Sequence, residues 1–186
     1  MRPLVSILVL AAPLVFAPNS MAQSGPGCGQ TDTKFDVSTT KQRPAAPDIQ
    51  SGKALVYILQ DDLKYNWAPR PTTRFAIDGA WIGATHGSSY FYIFVDPGEH
   101  HICANWQSAT TGLAWLGPKR STAATGFTAE AGKTYYFRAQ DILHTEQNDN
   151  VNTIKPEPEV LLSSLDPDEA QVLMNTFSFS SSHPKK

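Results

Sequence analysis

The sequence predicts an all-β domain: an antiparallel β-sandwich of about seven or eight strands with one short C-terminal helix. Three observations carry this. Short runs rich in aromatic and β-branched residues recur through the middle of the chain: Lys53–Leu59 (KALVYIL), Tyr90–Val95 (YFYIFV) and Thr134–Gln140 (TYYFRAQ). Turn signals separate the runs. Asp78-Gly79 suits a two-residue type I′ hairpin, and Pro97-Gly98 presets one negative and one positive φ. Only one stretch, after Asp166, combines helix start signals with helical spacing. A small barrel is the alternative arrangement for the same strands.

Taken in order, residues 1–22 read as a secretory leader. Arg2 supplies the positive start, Leu4–Phe16 the apolar run, and Ser20-Met21-Ala22 the small residues of a cleavage site. The run is too short to span a bilayer and contains Pro13. Export to the periplasm or the outside is therefore expected, with no stable membrane insertion after cleavage. Cys28 is preceded by Ser24-Gly25-Pro26-Gly27 rather than by a lipidation motif next to the apolar run. Residues 23–52 read as an extended leader rich in Gly, Pro, Ser, Thr and Gln, with a short strand at Phe35-Asp36-Val37.

The sandwich is expected over residues 53–165. Lys53–Leu59 is its first strand, apolar on both faces. Gln60–Pro71 is a loop, Thr72–Asp78 the second strand, and Ala80–Ala84 follows the hairpin. Tyr90–Asp96 and Glu99–Gln107 pair across Pro97-Gly98. Ser108–Arg120 is a long loop or a ragged hairpin, and Thr122–Ala129 and Thr134–Gln140 flank a turn at Glu130–Lys133. Asp141–Asn152 reads as a polar, mobile connection, and Val160-Leu161-Leu162 as one more strand. Over residues 166–186, Asp166-Pro167-Asp168-Glu169 gives an N-cap, a proline at the first helical position and an acidic first turn. Ala170, Leu173 and Phe177 share a helical face. The Ser-rich end is expected to fray.

The order of these motifs resembles a known family. KALVY, then DGxxIG, then YFYxxVxPGEHxIC, then AGKTYYFR is similar to the bacterial envelope family called domain of unknown function 2846. The D-G…G…P-G-x-H core also resembles PEGA-type β-sandwich modules. The resemblance implies a β-sandwich and a place in the bacterial envelope. It implies no catalytic residues.

Composition excludes some partners. The chain has 186 residues with 15 Lys+Arg and 17 Asp+Glu. Cleavage after Ala22 removes Arg2 alone among these, leaving 14 against 17, a net charge of −3. Without a basic cluster, nucleic acid is not an expected partner. The two cysteines, Cys28 and Cys103, allow one disulfide, which suits an exported chain. The alternative is two free thiols, with Cys103 packed as a small core residue.

The chemistry-bearing residues are sparse. His86, His100, His101, His144 and His183 show no metal-ligand spacing, and His100 and His101 point to opposite faces of a strand. No metal and no cofactor is expected. Ser88 and Ser89 beside His86, with Asp78, lack the nucleophile elbow of a hydrolase. Asp61-Asp62 reads as a solvated loop. The better lead is the loop aromatics, because flat rings on a surface suit a sugar ring or a protein partner. Tyr65, Trp67, Arg70, His86 and Trp115 are the candidate contact residues, while Trp81 and Trp106 read as core. The function expected is a secreted, non-enzymatic binding or structural module of the bacterial envelope, with an envelope protein or a glycan as its partner. Binding of carbohydrate or peptidoglycan by the same aromatics is the alternative. A small hydrolase or metal protein using His86 and His100 is the third reading.

Overall fold

The computed structural model describes residues 28–29, 33–61, 71–107, 122–147 and 154–186. Among the described residues, ten strands and one helix follow in chain order: β1 (Phe35–Thr40), β2 (Ala54–Gln60), β3 (Thr72–Ile77), β4 (Ala80–His86), β5 (Ser89–Val95), β6 (Gly98–Trp106), β7 (Thr122–Ala129), β8 (Thr134–Gln147), β9 (Ile154–Ser164), α1 (Pro167–Thr176) and β10 (Ser178–Pro184). They form a six-stranded sheet, ordered β1-β10-β5-β2-β8-β9, and a four-stranded sheet, ordered β4-β3-β6-β7.

The sheets stack face to face. Val56, Ile58, Phe91, Val95, Phe137, Ala139 and Val160 of the larger sheet meet Phe75, Ile77, Ile102, Ala104 and Trp106 of the smaller one. A second apolar cluster lies on the other face of the large sheet. There Leu55, Tyr57, Leu59 and Tyr90 pack under Leu165, Ala170, Met174 and Phe177 from the helix and its flanks. Strand β2 is thus covered on both faces and buried at all seven positions. This explains why it reads as a continuous apolar run rather than as an alternation. Burying each large side chain of the helix, such as Met174, contributes about 1.5–3 kcal/mol.

The turns are local in origin. Asp78 has φ 51° and Gly79 φ 79°, the paired positive values of a type I′ hairpin. Gly98 sits at φ 138°, where a Cβ would be strained. Helix α1 begins as expected, with the Asp166 side chain accepting from the Asp168 N–H at 2.9 Å. Its own last turn has no basic residue. Cations from residues 41–43 serve instead. Lys41 donates to the Thr176 carbonyl at 3.3 Å, and Arg43 donates to the Asn175 carbonyl and, at 2.7 Å, to its side-chain oxygen.

Several expectations are corrected. The sandwich is mainly antiparallel, but β2 pairs parallel to β8, and β10 pairs parallel to β5. The stretch 141–147 continues β8 rather than forming a polar connection, paired residue for residue with β9. The Ser-rich end does not fray: it is β10, paired with β1 over Phe35–Thr40. Ser180 is buried, its hydroxyl donating to the Ala84 carbonyl at 3.0 Å. The strand expected at Phe35–Val37 is thus real but longer, and it needs the end of the chain as its partner.

Trp106 is a core residue, as expected, but Trp81 is not. Trp81 lies half-buried on the outer face of the small sheet. The buried Arg74 guanidinium stands 4.3 Å from its ring centroid. Arg74 donates to Asn105 Oδ1 at 2.8–2.9 Å and to the Thr33 carbonyl. The backbone at Gly29 approaches the Trp81 ring so closely that a Cβ there would meet Nε1 at 2.6 Å. A Cys28–Cys103 disulfide, with Cα atoms 5.3 Å apart, fixes this segment over the buried Cys103. Residues 28–29 and Thr33 are therefore a strap on the outer face of the small sheet.

Candidate functional site

The two ends of the sandwich differ. At one end three hairpin connections are short: Asp78-Gly79 joins β3 to β4, Asp96-Pro97 joins β5 to β6, and residues 130–133 join β7 to β8. At the other end the chain leaves β2 at Asp61 and re-enters at Pro71, and it leaves β6 at Gln107 and re-enters at Thr122. Pairing brings these points together. Gln60 lies opposite Ser89, Thr72 opposite His86, Thr73 opposite Trp106, and Asn105 opposite Thr122. Of the candidate contact residues, Tyr65, Trp67, Arg70 and Trp115 lie outside the described residues, in the stretches that leave from this loop end.

His86 closes β4 at the same end, exposed, with Nδ1 3.3 Å from the Thr72 hydroxyl. The next residues, Gly87-Ser88, carry the chain from the small sheet to the large one. Beside them is a cleft of about 460 Å³, also bounded by Thr39, Lys41 and Thr176–Ser178. Most of its lining side chains are polar, among them Thr39, Lys41, His86 and Ser88.

Beneath the loop end is a buried polar cluster that sequence reading missed. Asp141 is 7% exposed. Its Oδ1 accepts the Trp106 indole N–H at 2.7 Å, and its Oδ2 accepts from Gln60 Nε2 at 2.9 Å. The Thr85 hydroxyl in turn donates to Gln60 Oε1 at 2.5 Å. Each member sits on a different strand, so nothing in local spacing reveals the set. A carboxylate between the sheets is tolerable only with such donors. The nearest sequence-level hint is the polar Gln60 ending an apolar strand.

The short-turn end has its own charged group. His100 Nδ1 lies 2.6 Å from Asp78 Oδ2, and Nε2 lies 2.7 Å from the Asp96 carbonyl. Asp78 Oδ1 accepts the His101 N–H at 2.8 Å. Burial lowers the His100 pKa, but the two acceptors outweigh it, and the net shift is upward. Burial raises the Asp78 pKa, but the His101 N–H and His100 outweigh it, and the net shift is downward. Both shifts favour the ion pair. His101 is exposed on the opposite face.

The catalytic and metal sets considered from sequence do not come together. His86 and His100 stand at opposite ends of the small sheet, about 20 Å apart at strand rise. Ser89 Oγ bonds to the backbone N–H and carbonyl of His86, not to its ring, and Asp78 is at the far end. Asp61 bonds to Gln140 and lies 3.8 Å from Arg138, which pairs with Glu169 at 2.7 Å. Among the described residues, no group of three or more His, Cys, Asp or Glu is placed to hold a metal ion.

The architecture is thus that of an all-β sandwich in which residues 62–70 and 108–121, outside the described residues, depart from one end. The chain belongs to the family described as Protein of unknown function (DUF2846), whose model matches residues 50–152. The match runs from just before β2 through β8 and includes the entire four-stranded sheet. Strands β1, β9 and β10 and helix α1 lie outside it. No curated protein and no solved structure matches the chain.

Proposed function

We propose that this protein is an exported, non-enzymatic β-sandwich of the bacterial envelope that binds a partner through its loop end. One observation carries the reading: the points where the described chain breaks off and resumes, Asp61, Pro71, Gln107 and Thr122, gather with the cleft at His86–Ser88 at the end where Gln60, Trp106 and Asp141 brace the strands. Binding residues concentrate on loops held by a rigid scaffold. The disulfide supports export, because such bonds persist in oxidising compartments. The net charge of −3 after leader removal favours a protein or neutral partner over an anionic surface.

Co-sedimentation of the purified protein with whole envelope fractions and with protein-free peptidoglycan tests this. Ser88→Trp, which fills the cleft, runs beside Glu99→Ala at the far end. Pelleting with envelope that Ser88→Trp abolishes and Glu99→Ala preserves is the expected result. Loss in both variants, or in neither, refutes the loop end as the site. Saturable pelleting with protein-free peptidoglycan, lost on Trp67→Ala, replaces the protein partner with a glycan.

A further inference from the structure

Four strands end the two sheets: β1 and β9 in the larger, β4 and β7 in the smaller. Edge strands offer main-chain groups to any passing strand, and proteins usually blunt them. Three of these four are blunted. Strand β9 contains Pro156 and Pro158, which have no N–H and fall on the same side of the strand. Its eleven-pair ladder to β8 is unbroken, so that side is the outer one. Strand β4 is capped at Ala84, whose N–H donates to Ser182 Oγ at 2.9 Å and whose carbonyl accepts from Ser180. On β1, the Gln107 side chain takes both the N–H and the carbonyl of Phe35, and Asp36 is ion-paired to Lys185.

Strand β7 has no such device. Its sequence, TAATGFTA, contains no charge and no proline, and its eight-pair ladder with β6 has no bulge. Among the described residues no strand hydrogen-bonds to its outer side, and β9 of the larger sheet adjoins it. Beside it is a cleft of about 390 Å³ lined by Thr125, Phe127, Tyr135, Phe137, Leu165 and Pro167. Among the described residues, main-chain groups with no strand partner and apolar side chains thus adjoin.

We propose that β7 is a self-association edge, at which two copies of this chain pair their β7 strands antiparallel about a two-fold axis at Thr125. The sequence is complementary to itself in that register. Phe127 of one copy falls opposite the small Ala123 of the other, Thr125 opposite Thr125, Thr122 opposite Thr128, and Ala124 opposite Gly126. Large meets small, threonine meets threonine, and no like charges meet. The two four-stranded sheets then run on as one. A two-fold interface of this kind uses the same patch on both copies and closes at the dimer. A foreign strand needs its own matching sequence, whereas a second copy supplies the match. The proposal is independent of the loop-end reading, because β7 is a lateral edge.

Sedimentation velocity on the purified protein over a concentration series tests it, with Thr125→Lys, Thr125→Glu and their equimolar mixture. The wild type sediments as a dimer. Each variant alone places like charges opposite one another and weakens association by at least about tenfold. The mixture restores the dimer, which also shows that both variants are folded. A monomeric wild type overturns the proposal. So does a dimer that both variants retain, or a mixture that stays monomeric.

Discussion

Breaking the Cys28–Cys103 cross-link with Cys28→Ala should lower stability by a predictable amount and release the strap. Cys103 is fully buried, so it is left in place as a free thiol. The bridged residues are 75 apart in sequence. The chain-entropy relation gives the unfolded chain about 15 cal/mol/K on removing a closure of that size, or about 4.5 kcal/mol at 25 °C. At a urea slope of about 2 kcal/mol/M, the midpoint falls by about 2 M. Urea unfolding without reductant, followed by tryptophan fluorescence, reads this directly. A second effect is local. With Cys28 free, the backbone at Gly29 is no longer held against the Trp81 ring. The native-state emission should shift to the red before any urea is added. A midpoint shift worth less than about 0.5 kcal/mol, the scatter of ordinary surface substitutions, refutes the entropic reasoning. An unshifted native spectrum refutes the strap.

Three further outcomes follow from the geometry. Trp106→Phe keeps a ring in the core but removes the indole N–H given to Asp141. An acceptor left short of a buried donor costs about 1–3 kcal/mol, measured by the same urea unfolding, and a loss under about 0.5 kcal/mol means the carboxylate has found another donor. His100→Gln tests the ion pair with Asp78. The His100 pKa is raised on folding, so its stabilisation is complete below the unfolded value of about 6.5 and is lost as pH rises through the folded value. The stability gap between wild type and variant should therefore be widest near pH 6 and close in alkali, and a gap that widens with pH contradicts the assignment. Gly29→Ala puts a methyl group against the Trp81 ring, so a lower thermal midpoint and altered near-ultraviolet circular dichroism of Trp81 are expected; unchanged values of both would mean the backbone can retreat from the ring at no cost.

Much of the fold was legible in the sequence because its causes are local. Strand β2 reads apolar on both faces, and it is the strand covered on both faces. Asp78-Gly79 reads as a type I′ turn because few residue pairs accept two positive φ values. Asp166-Pro167 starts the helix because capping involves only neighbours along the chain. The disulfide was accessible by count, since two cysteines allow one pairing. The candidate site was less legible. Tyr65, Trp67, Arg70, His86 and Trp115 read as loop residues, and of these His86 lies among the described residues, beside the cleft.

The sequence alone therefore determined most of the strands of the two sheets, where most of them turn and where the helix begins. These depend on φ preferences, caps and the period of apolar residues within a few positions. The tertiary structure decided the rest. It made the polar run Ser178–Pro184 a strand, because β1 and the edge of β4 satisfy its hydrogen bonds. It ran β2 parallel to β8, which no hairpin signal encodes. It moved Trp81 out of the core to meet Arg74, and it set His86 and His100 at opposite ends of one sheet. It gathered Gln60, Thr85, Trp106 and Asp141 from four strands around one carboxylate. Each of these is a contact between residues far apart in the chain, whose free energy exists only once the sheets have stacked.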